Sequence, residues 1–96
     1  MQTVIRAYSG TGAKELFDLL EKRKDEVEKL LRSVKGFVGY TLVRGGDGGF
    51  SVTICQDKSG IDESVRKARE WIAQNAGDTG VAAPKVSEGE VLIHLK

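Results

Sequence analysis

The spacing of apolar positions changes period several times along this chain, and each change marks an element. Thr3 to Tyr8 is β-branched and aromatic and stops at Ser9-Gly10-Thr11-Gly12, a cluster of turn formers, so a first strand is predicted. From Ala13 to Val34 the apolar residues Leu16, Leu20, Val27, Leu31 and Val34, joined by Phe17 and Leu30, recur at intervals of three, four or seven. That spacing predicts one amphipathic helix about 33 Å long at 1.5 Å per residue. Thr11 or Gly12 caps its start and Gly36 ends it. The charged stretch Glu21 to Glu26 interrupts the stripe, and a continuous helix requires Lys24 to lay its alkyl stem along the core.

Phe37 to Arg44 and Phe50 to Gln56 then read as two strands joined through Gly45-Gly46-Asp47-Gly48-Gly49, a hairpin. If Arg44 faces Phe50, period-two alternation puts Val38, Tyr40 and Leu42 on one face with Phe50, Val52 and Ile54. The other face carries Phe37, Gly39, Thr41, Val43, Ser51, Thr53 and Cys55. Ser59, followed by Asp62 and Glu63, announces a second helix with the stripe Ile61, Val65, Ala68 and Ile72, Trp71 beside it, and Gly77 at its end. A long connection from Gly77 to Gly89, holding Pro84, leads to a last strand over Val91 to Leu95.

Strand-helix-strand-strand-helix-strand order predicts an α+β fold of ferredoxin-like βαββαβ type, an antiparallel sheet with two helices on one face. The other face must meet water or protein. With Phe37, Thr41, Val43, Thr53 and Cys55 on it and no charge between the hairpin strands, cover by a second copy of the chain is expected. The competing account is a Thr-rich face left in water, which antiparallel sheets tolerate.

Composition narrows the function classes. Ninety-six residues make one domain, 1–96, and so small a core gains from association. A chain 40% hydrophobic and 30% charged, with no long apolar run and no secretory pattern at its start, points to a cytoplasmic protein without a membrane span. A net charge of +1 supplies no footprint for nucleic acid or anionic lipid. One cysteine, Cys55, and one histidine, His94, make neither a disulfide nor a zinc set, so no metal is expected.

Three local patterns bear on chemistry. Gly10-Thr11-Gly12-Ala13-Lys14 stands where backbone N–H groups and a helix dipole hold anions, but Glu15 occupies the third glycine of a dinucleotide fingerprint and the P-loop spacing is absent. Lys35-Gly36-Phe37-Val38-Gly39-Tyr40 echoes an RNA-recognition signature, on the second strand rather than the third. Arg6, Tyr8, Tyr40, Trp71 and His94 are the aromatic or polar-tipped residues on elements that would surround a pocket, the combination a small organic ligand requires. Core packing by itself also accounts for Tyr40 and Trp71. Cys55 has no base placed beside it and reads as an inert thiol.

The run Lys35 to Tyr40 after a long helix, the Gly-Asp-Gly-Gly hairpin, the Trp71 helix and the closing Pro84-Lys85-Val86-Ser87-Glu88-Gly89-Glu90-Val91 together resemble the dimeric α/β-barrel superfamily, specifically bacterial relatives of the antibiotic-biosynthesis monooxygenases. The resemblance implies two sheets packed face to face in a homodimer, with a pocket between helices and sheet in each subunit. The monooxygenases oxidise aromatic polyketides without metal or flavin, using Asn, Trp and Tyr or Arg. Here Trp71 is on the second helix, the only Asn, Asn75, lies at that helix's end, and the first strand offers Arg6. Haem-degrading relatives need an axial His on a helix, whereas His94 falls on the predicted last strand, so no cofactor is expected. The expected function is binding of a small aromatic or apolar molecule. The alternatives are cofactor-independent monooxygenation and an assembly module without ligand.

Overall fold

In a computed structural model that describes residues 1–96, four strands form one antiparallel sheet in the order β2-β3-β1-β4. The strands are β1 (Gln2–Tyr8), β2 (Phe37–Gly45), β3 (Gly48–Cys55) and β4 (Lys85–Glu90). The helices α1 (Ala13–Lys22), α2 (Lys24–Arg32) and α3 (Lys58–Asn75) pack on one side, giving the expected ferredoxin-like α+β fold. No helix is long and apolar enough to cross a membrane.

The single long helix expected over Ala13 to Val34 is two helices, broken at Arg23, whose φ of −112° and ψ of 31° leave the helical region. The break falls where the apolar stripe lapses. It lets Leu16, Phe17 and Leu20 of α1, and Val27 and Leu31 of α2, all reach the core while Lys24 stays in solvent. At the start of α1, Gly12 adopts φ 79° and sits against the chain near Thr79 and Val81 so closely that a Cβ would lie 2.5 Å from the Thr79 carbonyl oxygen. The cap of α3 is Asp57 rather than Ser59: its carboxylate accepts from the Gly60 N–H at 3.1 Å and the Ser59 hydroxyl at 2.7 Å.

The hairpin register differs from expectation by one residue. Gly45 pairs with Gly48 around a tight turn at Gly46-Asp47, so Arg44 faces Gly49, and Phe50 faces Val43. Because strand side chains alternate, a one-residue slip turns β3 over relative to β2. Ser51, Thr53 and Cys55 therefore point to the helices and are buried, while Phe50, Val52 and Ile54 point to the open face. Of the five residues expected on that face, Thr41 and Val43 lie there; Thr53 and Cys55 are interior. Phe37, beside a bulge between Phe37 and Gly39, packs on the core.

The open face is more apolar than the sequence suggested. Ile5 pairs with Val52, Ala7 with Phe50, Thr3 with Ile54, and Thr41 and Val43 complete it from β2. Its one charge is Lys85, on β4 opposite Ala7.

The last strand is Lys85–Glu90, all but its final residue within the connection expected over Gly77 to Gly89, not Val91 to Leu95. Every residue of β4 is exposed, so an edge strand reading Lys-Val-Ser-Glu-Gly-Glu carries no apolar stripe to announce it. The apolar run that does look like a strand follows it. Val91 donates one further bond to the Met1 carbonyl, and Leu92, Ile93 and Leu95 stand 79–87% exposed.

Candidate functional site between helices and sheet

Alternation along β1, β2 and β3 brings polar groups to the helix-facing side of the sheet. From β1 come Arg6 and Tyr8, from β2 Tyr40, and from β3 Ser51 and Thr53. Leu20, Val27, Leu30 and Leu31 of α1 and α2 form an apolar roof, and Ser64, Ala68, Trp71 and Ile72 of α3 close the remaining side. The space enclosed is about 40 Å³, enough for one or a few waters. Immediately outside, a groove of about 450 Å³ opens between α2 and β2, and Leu20, Val27, Leu31, Tyr40 and Leu42 are walls of both.

Arg6 is the only charged residue lining the cavity, and it is 6% exposed. Its Nη2 donates to the Tyr8 Oη at 2.6 Å, and no ion pair of the chain includes it. Tyr8 meets Phe17 edge to face, ring centroids 6.2 Å apart. Burial pushes the Tyr40 phenol up to about 12, and pushes Tyr8 above its ordinary value, in both cases against the opposing pull of the Arg6 charge. At neutral pH both are neutral phenols and neither compensates the guanidinium.

Trp71 is held from behind. Its indole Nε1 donates to the Glu26 carboxylate at 3.2 Å, and Arg23 lies over the ring with its Cζ 5.2 Å from the centroid. Arg23 also grips Glu26 through Nε at 2.8 Å and donates to Asn75 Oδ1 at 2.8 Å, while Asn75 Nδ2 donates to the Trp71 carbonyl. The hydrogen bond from Arg23, then that from Trp71, holds the Glu26 carboxyl below the usual carboxylate range. The indole N–H is thus engaged, and what Trp71 offers the cavity is ring surface. Asn75 belongs to this knot and does not line the cavity.

Of the pocket residues expected from sequence, Arg6, Tyr8, Tyr40 and Trp71 meet around one cavity. His94 does not: with β4 ending at Glu90, it lies in the exposed stretch beyond the sheet. Ser51 and Thr53 also line the cavity, although the Arg44–Phe50 pairing expected from sequence assigns them to the other face. Cys55 is fully buried beside Val4, Val34 and Ile61; burial, then the charges of Asp57 and Glu63, raise its thiol pKa. At the Gly10 to Lys14 loop, the Asp47 carboxylate already accepts the Gly10 N–H at 2.9 Å, occupying an amide an anion would need. Tyr40 of the Lys35 to Tyr40 run faces the helices, so it is no stacking surface on the open sheet.

No protein-family model matches the chain, and no curated protein does. Solved structures do. A protein of unknown function from Nitrosomonas europaea superposes with a TM-score of 0.71 at 14% identity over 99% of this chain and 91% of its own. The haem degrader MhuD of Mycobacterium tuberculosis, solved with two haems in its active site, gives 0.59 at 19% identity over the whole of both chains. SnoaB, a cofactor-independent oxygenase from Streptomyces nogalater, gives 0.53 at 15% identity over 98% of this chain and 93% of its own. At such identities these likenesses establish the fold alone, the ferredoxin-like α+β arrangement of four strands with helices on one side.

Proposed function

We propose that the chain is a homodimeric, cytoplasmic domain that receives a small aromatic or apolar molecule between its helices and sheet. The observation that carries this reading is the cavity itself: an apolar roof and the Trp71 ring over a floor of hydroxyls and one guanidinium, continuous in its walls with an open groove. At about 40 Å³ the inner space admits water only, so a ring enters by displacing α2 outward. The break at Arg23 makes that nine-residue helix a separate lever. The uncharged outer face of β1, β2 and β3 supports pairing with a second copy, and the buried, unpaired Cys55 suits a reducing compartment.

Trp71 is the only tryptophan and stands in the cavity wall, so its fluorescence reports occupancy. Titration with naphthalene- and anthrone-type compounds is expected to give a saturable change together with a raised melting temperature. No saturable change with any of them would refute the reading.

A second reading, cofactor-independent oxygenation, is favoured by the placement of Arg6 and two neutral phenols against an aromatic wall, and by the fold shared with SnoaB. Arg6 would stabilise an ionised substrate oxygen and a phenol would hand on its proton. Oxygen uptake with an anthrone, present in the parent and reduced in Trp71→Phe, distinguishes turnover from binding. Haem binding of the kind seen in MhuD is not the reading supported here: the cavity wall contains no His, Cys or Met to ligate iron, and both tyrosines are protonated.

A further inference from the structure

A buried guanidinium is ordinarily paired with a carboxylate, because moving the charge out of water costs far more than one neutral hydrogen bond returns. In this chain Arg23, Arg32, Arg44 and Arg66, all nearer the surface, each reach an Asp or Glu. Arg6, the buried one, reaches only a phenol. No Asp or Glu lines the cavity, and neither Tyr8 nor Tyr40 ionises at neutral pH to take a carboxylate's place. The guanidinium carries five N–H donors, of which one is spent on Tyr8. The Tyr40, Ser51 and Thr53 hydroxyls line the same cavity. Opposite lie hydrocarbon, the Trp71 ring and Ser64, whose hydroxyl already donates to the Ile61 carbonyl.

We infer that the missing counter-charge is supplied by the ligand: the molecule taken up is an organic monoanion, an aromatic or apolar body ending in one carboxylate or ionised acidic hydroxyl, with its oxygen on Arg6. This rests on the reading that the cavity takes a small molecule and adds to it the ligand's charge and orientation. The anionic end lies against the sheet at Arg6, and the apolar body runs under α2 toward the groove. Charge-assisted bonds to a guanidinium only 6% exposed favour the anion over a neutral molecule of the same shape by about 10- to 100-fold.

The test compares 2-naphthoate with its neutral isostere 2-naphthamide, by Trp71 fluorescence and by thermal shift, in the parent, Arg6→Met and Arg6→Lys. The parent is expected to bind the acid at least about 10-fold more tightly than the amide. Arg6→Met should lose that preference while still binding the amide, and Arg6→Lys should keep part of it. Without ligand, Arg6→Met is expected to melt above the parent, since an uncompensated buried charge has been removed. Equal binding of acid and amide by the parent would overturn the anion proposal and leave the binding reading intact. Binding of neither overturns both. The parent's own comparison needs no variant, so it decides even if Arg6→Met fails to fold.

Discussion

Replacing Gly49 with alanine sets two opposed effects against each other, and the structure says which wins. At an unstrained position Gly→Ala stabilises by about 0.4–1 kcal/mol, because alanine has fewer unfolded conformations to lose. Gly49 has no positive φ, so strain of that kind is absent. Its surroundings oppose the change: a Cβ there would lie 2.2 Å from the Val43 carbonyl oxygen and 2.5 Å from Phe17 Cε2. The first is backbone of the paired strand, and the second belongs to a ring that is 2% exposed and packed on Tyr8. Neither can yield cheaply. Overpacking of this sort costs about 1–3 kcal/mol, and with two such contacts the upper half of that range applies. After the entropic gain, a net loss of about 2 kcal/mol remains, or about 8–16 °C in melting temperature for a domain of this size. Gly89→Ala is the control, since nothing lies within 4 Å of its Cβ. It should leave stability unchanged or raise it by a few tenths of a kcal/mol. Urea unfolding followed by Trp71 fluorescence, at one fixed protein concentration, measures both. A Gly49→Ala protein as stable as the parent would show that α1 does not sit against β3 as described.

Val52→Glu puts a carboxylate in the middle of the apolar open face and is expected to weaken the proposed self-association at least about a hundredfold, read by sedimentation equilibrium; a monomeric parent would refute the pairing, and an unchanged dimer would exclude this face as the contact. The Cys55 thiol, fully buried with its pKa raised, should react with an aromatic disulfide reagent only on unfolding, so the labelling rate should follow urea concentration through the transition; prompt labelling of the native protein contradicts its placement. Tyr40 titrates near 12 when folded and near 10 when unfolded, so its contribution to stability is complete below about pH 10 and is lost as pH rises toward 12. Tyrosinate absorbance at pH 10.5 should accordingly be small in the folded protein and appear on adding denaturant, and half-ionised tyrosine under native conditions would refute the buried placement.

How much of this could be read from the sequence depended on whether one face of an element had to be apolar. β1 and the stripe of α3 were legible because Val4 and Ile61 occupy positions only a core explains. Arg6, Tyr8, Tyr40 and Trp71 could be grouped around one cavity from the element order, since β1 keeps a single register and the β2 bulge between Phe37 and Gly39 precedes Tyr40. β3 resisted because its two faces are equally good strand: Phe50, Val52 and Ile54 on one, Ser51, Thr53 and Cys55 on the other. Which of them goes inside is decided by the length of the turn and by glycines that allow helix and strand to touch. Neither leaves a mark in hydropathy. β4 was invisible for a related reason, as an edge strand exposed on both faces needs no pattern, while the apolar Val91 to Leu95 imitated one.

The inward hydroxyls of β3 have a further implication. A strand that sends Ser51 and Thr53 into the interior and Phe50, Val52 and Ile54 outward is turned inside out by the standards of a free-standing monomer. What it surrenders in core packing it supplies as the polar floor of the cavity, and the displaced hydrocarbon lies on the outer side. On the reading proposed above, ligand recognition and self-association would thereby be written on opposite sides of the same eight residues. A single residue added to or removed from the Gly46-Asp47 turn would exchange the two sides, so the domain cannot lose one property through such a change and keep the other.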